Sequence, residues 1–377
     1  MKTILKRYWR NLDIPLILAV LALILLGLFI IYSASAGKLL SENTNPFYYV
    51  KKQALSALLG FIGVFVILSI DYRAWRRWIR LMYVINLIIL LSVLVLGTSQ
   101  NSQRWFRFSG FNIQPSEIAK IIMIVVLAHH LEKPDNIANW KILSPFAIIG
   151  LPMILIILQP DLGTSLVFAG IVFAMTYIAG GDVKHLTFIG IICIIITLSA
   201  LLLSYYDIVE IIKPYQLQRL LVFLDPYSDP TDKGWNVIQS MIAVGSGGFF
   251  GKGFLNGTQS QLDFLPANHT DFIFSVVAEE FGFVGAVVVI CIFAVIIWRG
   301  LRIARLAKDR YGMLLAVGCV SFFFCHLVIN VGMTLGIMPI TGIPLPFLTY
   351  GGSSLLTSIL VIGILLNVGL RRQKIMF

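Results

Sequence analysis

Charged residues are scarce in this sequence of 377 residues, since they make up 12% of it, whereas they make up about 25% of a typical soluble domain. Long polar stretches are scarce as well, because apolar runs of about 17 residues or more, the length that a bilayer requires, recur along the chain. These features exclude a soluble globular protein, a disordered chain and a small disulfide-stabilised domain. They predict a polytopic membrane protein.

Cysteine is also rare, and the four residues of this type all fall within apolar runs: Cys193, Cys291, Cys319 and Cys325. They lack the close pairing of metal-binding motifs, and the loops contain no cysteine that could form a disulfide. We therefore interpret all four cysteines as packing residues.

Ten apolar segments are predicted to be transmembrane helices: 14–35, 54–70, 80–97, 115–131, 144–159, 161–179, 186–204, 271–298, 312–335 and 347–369. Assigning the connecting segments alternately to the two sides puts 19 basic residues on one side and 9 on the other. Cytoplasmic segments carry the excess of Lys and Arg, so this bias places both termini in the cytoplasm. It also explains the net charge of +11 without a nucleic-acid partner. The sequence thus predicts an all-α membrane protein with ten transmembrane helices, in a single domain over residues 1–377.

One external loop is long, residues 205–270, and we expect two short helices in it. Residues 211–224 have apolar side chains at helical spacing, with Lys213 and Arg219 among them, which is typical of a helix on the membrane surface. Residues 235–244 predict a second helix. The glycine-rich run 245–253 does not match a phosphate-binding loop, because a glycine follows its lysine. Its glycines let the backbone either pack tightly against helices or approach a ligand.

Three acids stand at the external starts of predicted helices: Glu117, Asp161 and Asp271. A carboxylate is stabilised at the positive end of a helix dipole, so each acid could simply cap its helix. Acids at the edge of a bilayer are nevertheless costly and are candidates for function. Because all three lie at one depth on one side, they favour a shared polar cavity that opens to the outside.

Lys120 is three residues after Glu117, so the two share a helix face and are predicted to form an ion pair. The pair could have a purely structural role, in which each charge compensates the other. Alternatively, Lys120 could bind a phosphate of a ligand. Further along, at least one of Glu279 and Glu280 is expected to face protein rather than lipid. Hydroxyls and amides near the start of the tenth predicted helix could receive an anion, and His326 with Asn330 predicts a polar stripe facing the bundle.

At these residues the sequence resembles the SEDS family (shape, elongation, division and sporulation), and most of all its rod-shape members. The resemblance covers most of the chain in order, and it lies in the segments 103–105, 114–120, 159–164, 239–253, 257–261, 269–274 with 279–280, and 344–354. One difference is Ala267, where the family commonly has Glu. This difference leaves Asp271 as the external-loop candidate beside the glycine run.

The resemblance implies a peptidoglycan glycosyltransferase that polymerises lipid II at the outer face of the bacterial cytoplasmic membrane, for elongation and cell shape, together with a class B penicillin-binding protein. Asp271 is then the expected catalytic base. The expected substrate-binding residues are Glu117, Lys120, Asp161, Lys252, Gln239, Ser240, His269, Thr270, Ser353 and Ser354. The sequence identifies no cofactor with certainty and leaves a divalent cation, Mg²⁺ or Mn²⁺, as an option.

A transporter that flips a lipid-linked precursor across the membrane is the alternative function, because polar residues within a ten-helix bundle suit it equally well. Two features speak against it: the sequence shows no inverted repeat, and the acids cluster on one side instead of lining a path through the membrane. A purely scaffolding membrane protein would leave the acid cluster unexplained.

Overall fold

The structure is a computed structural model that describes residues 12–97, 104–108, 111–136, 139–206, 208, 214–229 and 233–372. Across these residues the chain forms thirteen α-helices: α1 Ile14–Ser41, α2 Tyr48–Ser69, α3 Ile79–Leu96, α4 Pro115–Leu131, α5 Leu143–Leu158, α6 Leu162–Ile178, α7 Val183–Tyr205, α8 Pro214–Leu224, α9 Lys233–Ser246, α10 Thr258–Gln261, α11 Ile273–Arg305, α12 Arg310–Thr334 and α13 Gly352–Leu370.

Ten of these helices, α1 to α7 and α11 to α13, coincide with the ten predicted spans, which confirms an all-α polytopic membrane protein. Seven of the ten are long and apolar enough to cross a bilayer, as judged by length and composition. The helices α5 and α6 are also apolar but shorter, at 16 and 17 residues. At 1.5 Å of rise per residue they extend about 25 Å.

The centre of the bundle is formed by α12 and α13, which are buried along most of their length. The helix α11 packs against α1 and α12, and α13 packs against α2. By contrast, α7 buries only Leu186 and Ser204. Its remaining apolar side chains therefore face the surroundings, as expected for a peripheral helix in contact with lipid.

Two elements of the segments predicted to be external differ from the prediction. A short antiparallel hairpin, β1 Phe106–Phe108 and β2 Phe111–Ile113, lies just before α4, where no strand was expected. In the long loop, α8 and α9 confirm the two predicted helices, while the single turn α10 was not expected. Residues 211–213 of the predicted surface helix lie outside the described residues.

The helix α11 is interrupted at Gly282, whose φ of 65° and ψ of −161° are not helical. This break frees carbonyl groups of the preceding turn. The backbone N–H of Lys252 donates to the carbonyl of Glu279 at 3.0 Å, and that of Gly253 donates to the carbonyl of Glu280 at 2.9 Å. Unpaired backbone groups are costly within a membrane, so these bonds stabilise the interruption.

The amide groups that follow the break are satisfied by the same loop. The N–H of Phe283 donates to the carbonyl of Gly248 at 2.9 Å, and the N–H of Val284 donates to the carbonyl of Phe249 at 3.2 Å. The glycine-rich run therefore packs tightly against a helix, which is one of the two roles that its composition allowed.

Gly251→Ala tests this packing. A Cβ at Gly251 would lie 2.1 Å from the carbonyl oxygen of Glu280, and the φ of +82° is unfavourable for any residue with a side chain. We expect Gly251→Ala to lower the free energy of unfolding by at least about 2 kcal/mol, because overpacking and an unfavourable φ each cost ~1–3 kcal/mol. Thermal unfolding of the purified protein measures the change.

Gly245→Ala is the matched control, since Gly245 lies in α9 and a Cβ there meets nothing within 4 Å. Alanine is the better helix former by ~1 kcal/mol, so this variant should be as stable as the parent protein or slightly more stable. Equal stability of the two alanine variants would contradict the packing described here.

Candidate functional site

Asp271 lies on the segment that leads into α11, two residues before the helix begins at Ile273. Asn330 in α12 fixes this segment, because its Nδ2 donates to the backbone carbonyl of Asp271 at 3.1 Å and to that of Ile343 at 2.8 Å. The predicted polar stripe on α12 thus faces the bundle. It joins the approach to α11 with the segment that precedes α13.

The carboxylate of Asp271 does not cap α11. Phe272 occupies the N-cap position of that helix, and no side chain caps it. Within the described part of the chain, the Asp271 carboxylate has neither a hydrogen-bond donor nor a cation within 4.0 Å. Burial raises the pKa of Asp271 above its usual value, and the charge of Arg219 acts in the opposite direction.

Arg219 and Asp271 face a common point at Gly342. A Cβ added to Gly342 would lie 3.3 Å from the Oδ2 of Asp271 and 4.0 Å from the Nη1 of Arg219. The φ of Gly342 is +70°, a backbone conformation that suits glycine. A carboxylate and a guanidinium therefore lie on either side of a residue that has no side chain.

Asp161 has a structural role that Asp271 lacks. It is the N-cap of α6, where its Oδ1 accepts from the backbone N–H of Thr164 at 3.1 Å and its Oδ2 accepts from the hydroxyl of the same residue at 2.9 Å. Its Oδ2 also accepts from the Nε2 of Gln114 at 3.2 Å. Asp161 thus joins the N-terminal ends of α4 and α6.

Glu117 and Lys120 form the predicted ion pair, with 2.7 Å between Oε1 and Nζ, and both side chains are almost fully buried. The Nζ of Lys120 also lies 3.0 Å from the Nε2 of His326 in α12. The Nδ1 of His326 is 2.8 Å from the carbonyl of Phe322, so Nδ1 is the donor and Nε2 accepts from Lys120. The pair is thus part of a three-residue network between α4 and α12.

Lys252 is paired with Glu279 at 2.7 Å, and its Nζ also donates to the hydroxyl of Thr258 at 2.8 Å. The neighbouring Glu280 accepts from the hydroxyl of Ser33 in α1. Both glutamates are buried, which confirms that at least one of them faces protein. Together they connect α11 to the glycine-rich loop and to α1.

His269 and Thr270 are partly exposed on the segment before Asp271. The His269 ring stacks on Tyr49, with 4.8 Å between ring centroids, and its Nδ1 lies 3.1 Å from the Oδ1 of Asn268. Burial lowers the pKa of His269, so the ring is neutral at pH 7. The hydroxyl of Thr270 donates to the carbonyl of Ala267 at 3.1 Å.

The remaining predicted residues lie on α9 and α13. Gln239 and Ser240 are buried, and the hydroxyl of Ser240 donates to the carbonyl of Thr334 at 2.9 Å. Ser353 is partly exposed and donates to the carbonyl of Asn112 at 2.6 Å, whereas Ser354 is buried. Gln103, part of the first matching motif, lies outside the described residues.

Sequence reasoning missed the position of Arg219, which it placed only in a helix on the membrane surface. The predicted helix 211–224 contained both Lys213 and Arg219, and nothing in the sequence distinguished the two. Tyr215 precedes Arg219 by one helical turn, and its hydroxyl donates to the carbonyl of Pro160 at 3.2 Å. Through Tyr215, α8 therefore contacts the segment just before α6, and through Arg219 it lies near Asp271.

No group of three His, Cys, Asp or Glu side chains suited to a metal ion occurs within the described ranges. A Mg²⁺ ion, however, is often held by one or two protein carboxylates together with substrate phosphates. The unpaired carboxylate of Asp271 fits that kind of site.

Comparison with known proteins extends over nearly the whole chain. The sequence model of the FtsW, RodA and SpoVE cell cycle proteins matches residues 14–374. Stage V sporulation protein E of Bacillus subtilis (strain 168) is 39% identical over 362 residues, which are 94% of this chain and 96% of that protein. The probable peptidoglycan glycosyltransferase FtsW of Trichlorobacter lovleyi is 38% identical over 364 residues, or 94% of this chain and 92% of that protein.

A solved structure shares the fold as well. It is a chain from a peptidoglycan synthase complex, in a study of how that complex coordinates polymerization and crosslinking. It superposes with a TM-score of 0.78 at 31% sequence identity, and covers 95% of this chain and 97% of that one.

Proposed function

The chain belongs to the SEDS family of FtsW, RodA and SpoVE cell cycle proteins, and on that premise we propose that it polymerises lipid II into glycan strands at the outer face of the cytoplasmic membrane. A relative named as a peptidoglycan glycosyltransferase supports the reaction class. The polymerization named for the complex with the similar fold supports it too.

The observation that carries the proposal is the unpaired carboxylate of Asp271. Four other acids of the external half, Glu117, Asp161, Glu279 and Glu280, each accept at least one hydrogen bond from a nearby side chain. A partly buried carboxylate without a partner costs free energy of folding, and such groups are frequent at catalytic sites. Asp271 is therefore the best candidate for the base of the reaction.

In the proposed step, Asp271 accepts the proton of the acceptor sugar hydroxyl as that oxygen attacks the anomeric carbon of the donor. The new glycosidic bond forms while the bond from the anomeric carbon to the diphosphate oxygen breaks. The lipid diphosphate leaves with the electron pair of that bond. If Mg²⁺ or Mn²⁺ takes part, Asp271 would hold the ion in place of acting as the base, and the ion would supply charge stabilisation to the phosphates.

The other predicted site residues fall into two groups, one with partly exposed side chains and one with buried side chains. Lys252, His269, Thr270 and Ser353 are partly exposed, and we propose that they contact lipid II directly. The buried residues are proposed to act by holding the external ends of the helices in place: Glu117, Lys120, Asp161, Gln239, Ser240 and Ser354.

We also propose the setting of the reaction. The bias of basic residues supports cytoplasmic termini at both ends of a single membrane domain. A class B penicillin-binding protein is the proposed partner, supported by the likeness to a chain of a synthase complex. The resemblance to rod-shape members supports a role in elongation, and rescue of rod shape in an elongation-deficient bacterium would test that role.

The central experiment incubates the purified protein in lipid vesicles with labelled lipid II, with and without a class B penicillin-binding protein. We expect glycan polymer that increases when the partner is present. Label that crosses the vesicle membrane without forming polymer would instead identify a transporter. Full polymerisation that does not change on adding the partner would refute the dependence on that protein.

A further inference from the structure

Departure of a lipid diphosphate leaves negative charge that a glycosyltransferase has to stabilise, usually with cations or oriented dipoles. Two lysines of the external half are candidates by sequence, but both are already paired. Lys120 is fully buried between Glu117 and His326, and Lys252 is bound to Glu279. Each lysine thus has its charge balanced by a glutamate within 2.7 Å.

Arg219 differs from both lysines. Its Nη1 donates only long hydrogen bonds, 3.4 Å to the carbonyl of Ile340 and 3.5 Å to that of Thr341. Its Nε is buried and has no hydrogen-bond partner among the residues that the structure describes. A guanidinium has five N–H donors, so most of the donors of Arg219 are available to a ligand.

The surroundings of Arg219 suit an anion. The segment that receives its two hydrogen bonds, residues 335–350, contains no charged residue. Asp271 is the acid that faces it, yet no ion pair within 4.0 Å joins the two. Both groups approach the same position of Gly342, so the guanidinium of Arg219 and the carboxylate of Asp271 are neighbours without forming an ion pair.

We propose that Arg219 binds the diphosphate of the donor lipid, with its guanidinium donating to phosphate oxygens while Asp271 receives the proton of the acceptor hydroxyl. This inference rests on the proposed function and adds the residue that holds the leaving group. Arginine suits the task because its planar fork of N–H donors matches phosphate oxygens. The carbonyls of Ile340 and Thr341 orient the side chain toward that position.

Arg219→Gln tests the assignment, and Lys233→Gln is the matched control. Lys233 also lies in the external loop, where it binds the Oε1 of Gln218 at 3.0 Å, so both variants remove one positive charge from the same region. Loss of a charge-assisted hydrogen bond should lower kcat/KM for lipid II by about 10–100-fold in Arg219→Gln. The Lys233→Gln variant should keep the parental value.

A pH profile adds a readout that a purely structural role would not change. Arg219 lowers the pKa of Asp271, and it is the charged residue that faces Asp271 from α8. The uncharged segment 335–350 and Asn330 of α12 face it from the other elements. Without the charge of Arg219 the pKa of Asp271 is higher. The acid limb of the profile, which is the decrease of kcat/KM toward low pH, should therefore move to higher pH in Arg219→Gln and should not move in Lys233→Gln.

Arg219→Lys is the variant to measure if Arg219→Gln does not fold. Lysine keeps the positive charge but lacks the planar arrangement of N–H donors of a guanidinium. We expect a lowered kcat/KM with an unchanged acid limb. Parental kcat/KM in a folded Arg219 variant would overturn the assignment while leaving the proposed function intact. Absence of glycan synthesis by the parent protein with its partner would instead overturn the proposed function.

Discussion

Asp271→Asn is expected to reduce glycan polymerisation at least about a hundredfold, because general-base assistance contributes about 10²–10⁴ in rate. The amide keeps the size and shape of the carboxylate but cannot accept the proton of the sugar hydroxyl. A role as a helix cap predicts little change, since Asn and Asp serve alike at that position. Phe272, not Asp271, occupies the N-cap of α11, so the structure also gives no capping role that the substitution could disturb.

The same variant should be at least as thermally stable as the parent protein. Burial raises the pKa of Asp271 above its unfolded value, which means that the folded protein disfavours the ionised form. The resulting cost is present at pH values above the folded pKa and disappears as the pH falls through it. Asp271→Asn removes this cost at neutral pH, so activity and stability should change in opposite directions.

Asp263→Asn is the control for that experiment. Asp263 lies in the same connection between α10 and α11 and forms an exposed ion pair with Lys38 at 3.3 Å. Removing its charge should leave polymerisation near the parental rate, because exposed pairs contribute only about 0–1 kcal/mol. Near-normal glycan synthesis by Asp271→Asn would refute its assignment as the base. So would an equal loss in both variants.

The helices were predictable because their signal is local. An apolar run of suitable length has to form a helix in a bilayer, whatever its neighbours do, so the ten helices α1 to α7 and α11 to α13 followed from the sequence. The interruption of α11 did not, since Gly282 is one of many glycines in apolar runs. Its non-helical backbone is stabilised by hydrogen bonds from a loop about thirty residues earlier in the chain.

The candidate site shows the same limit. Asp161 and Asp271 have similar sequence settings at the external starts of predicted helices, yet Asp161 caps a helix and Asp271 is unpaired. The difference arises from where α8 and the segment before α13 pack, and no local pattern encodes that packing. Arg219 was missed for the same reason, because its relation to Asp271 exists only in the folded chain.

Lys120→Met should be the most destabilising of the substitutions considered. It would leave the Glu117 carboxylate, 2% exposed, without its cation in the core of the bundle. Breaking a buried pair by removing one partner costs about 3–5 kcal/mol, because the remaining charge is uncompensated. Lys38→Met removes a lysine from the exposed pair with Asp263, and it should cost less than about 1 kcal/mol.

Exchanging the two charges, Glu117→Lys with Lys120→Glu, separates the structural role from a substrate role. The exchange restores a buried pair, but the carboxylate introduced at position 120 would face the Nε2 of His326, an acceptor in the present network. We therefore expect thermal unfolding to show partial recovery of stability relative to Lys120→Met. Recovery of polymerisation to the same extent would show that Lys120 acts through the fold. Folded protein without activity would show instead that lipid II requires an ammonium group at position 120.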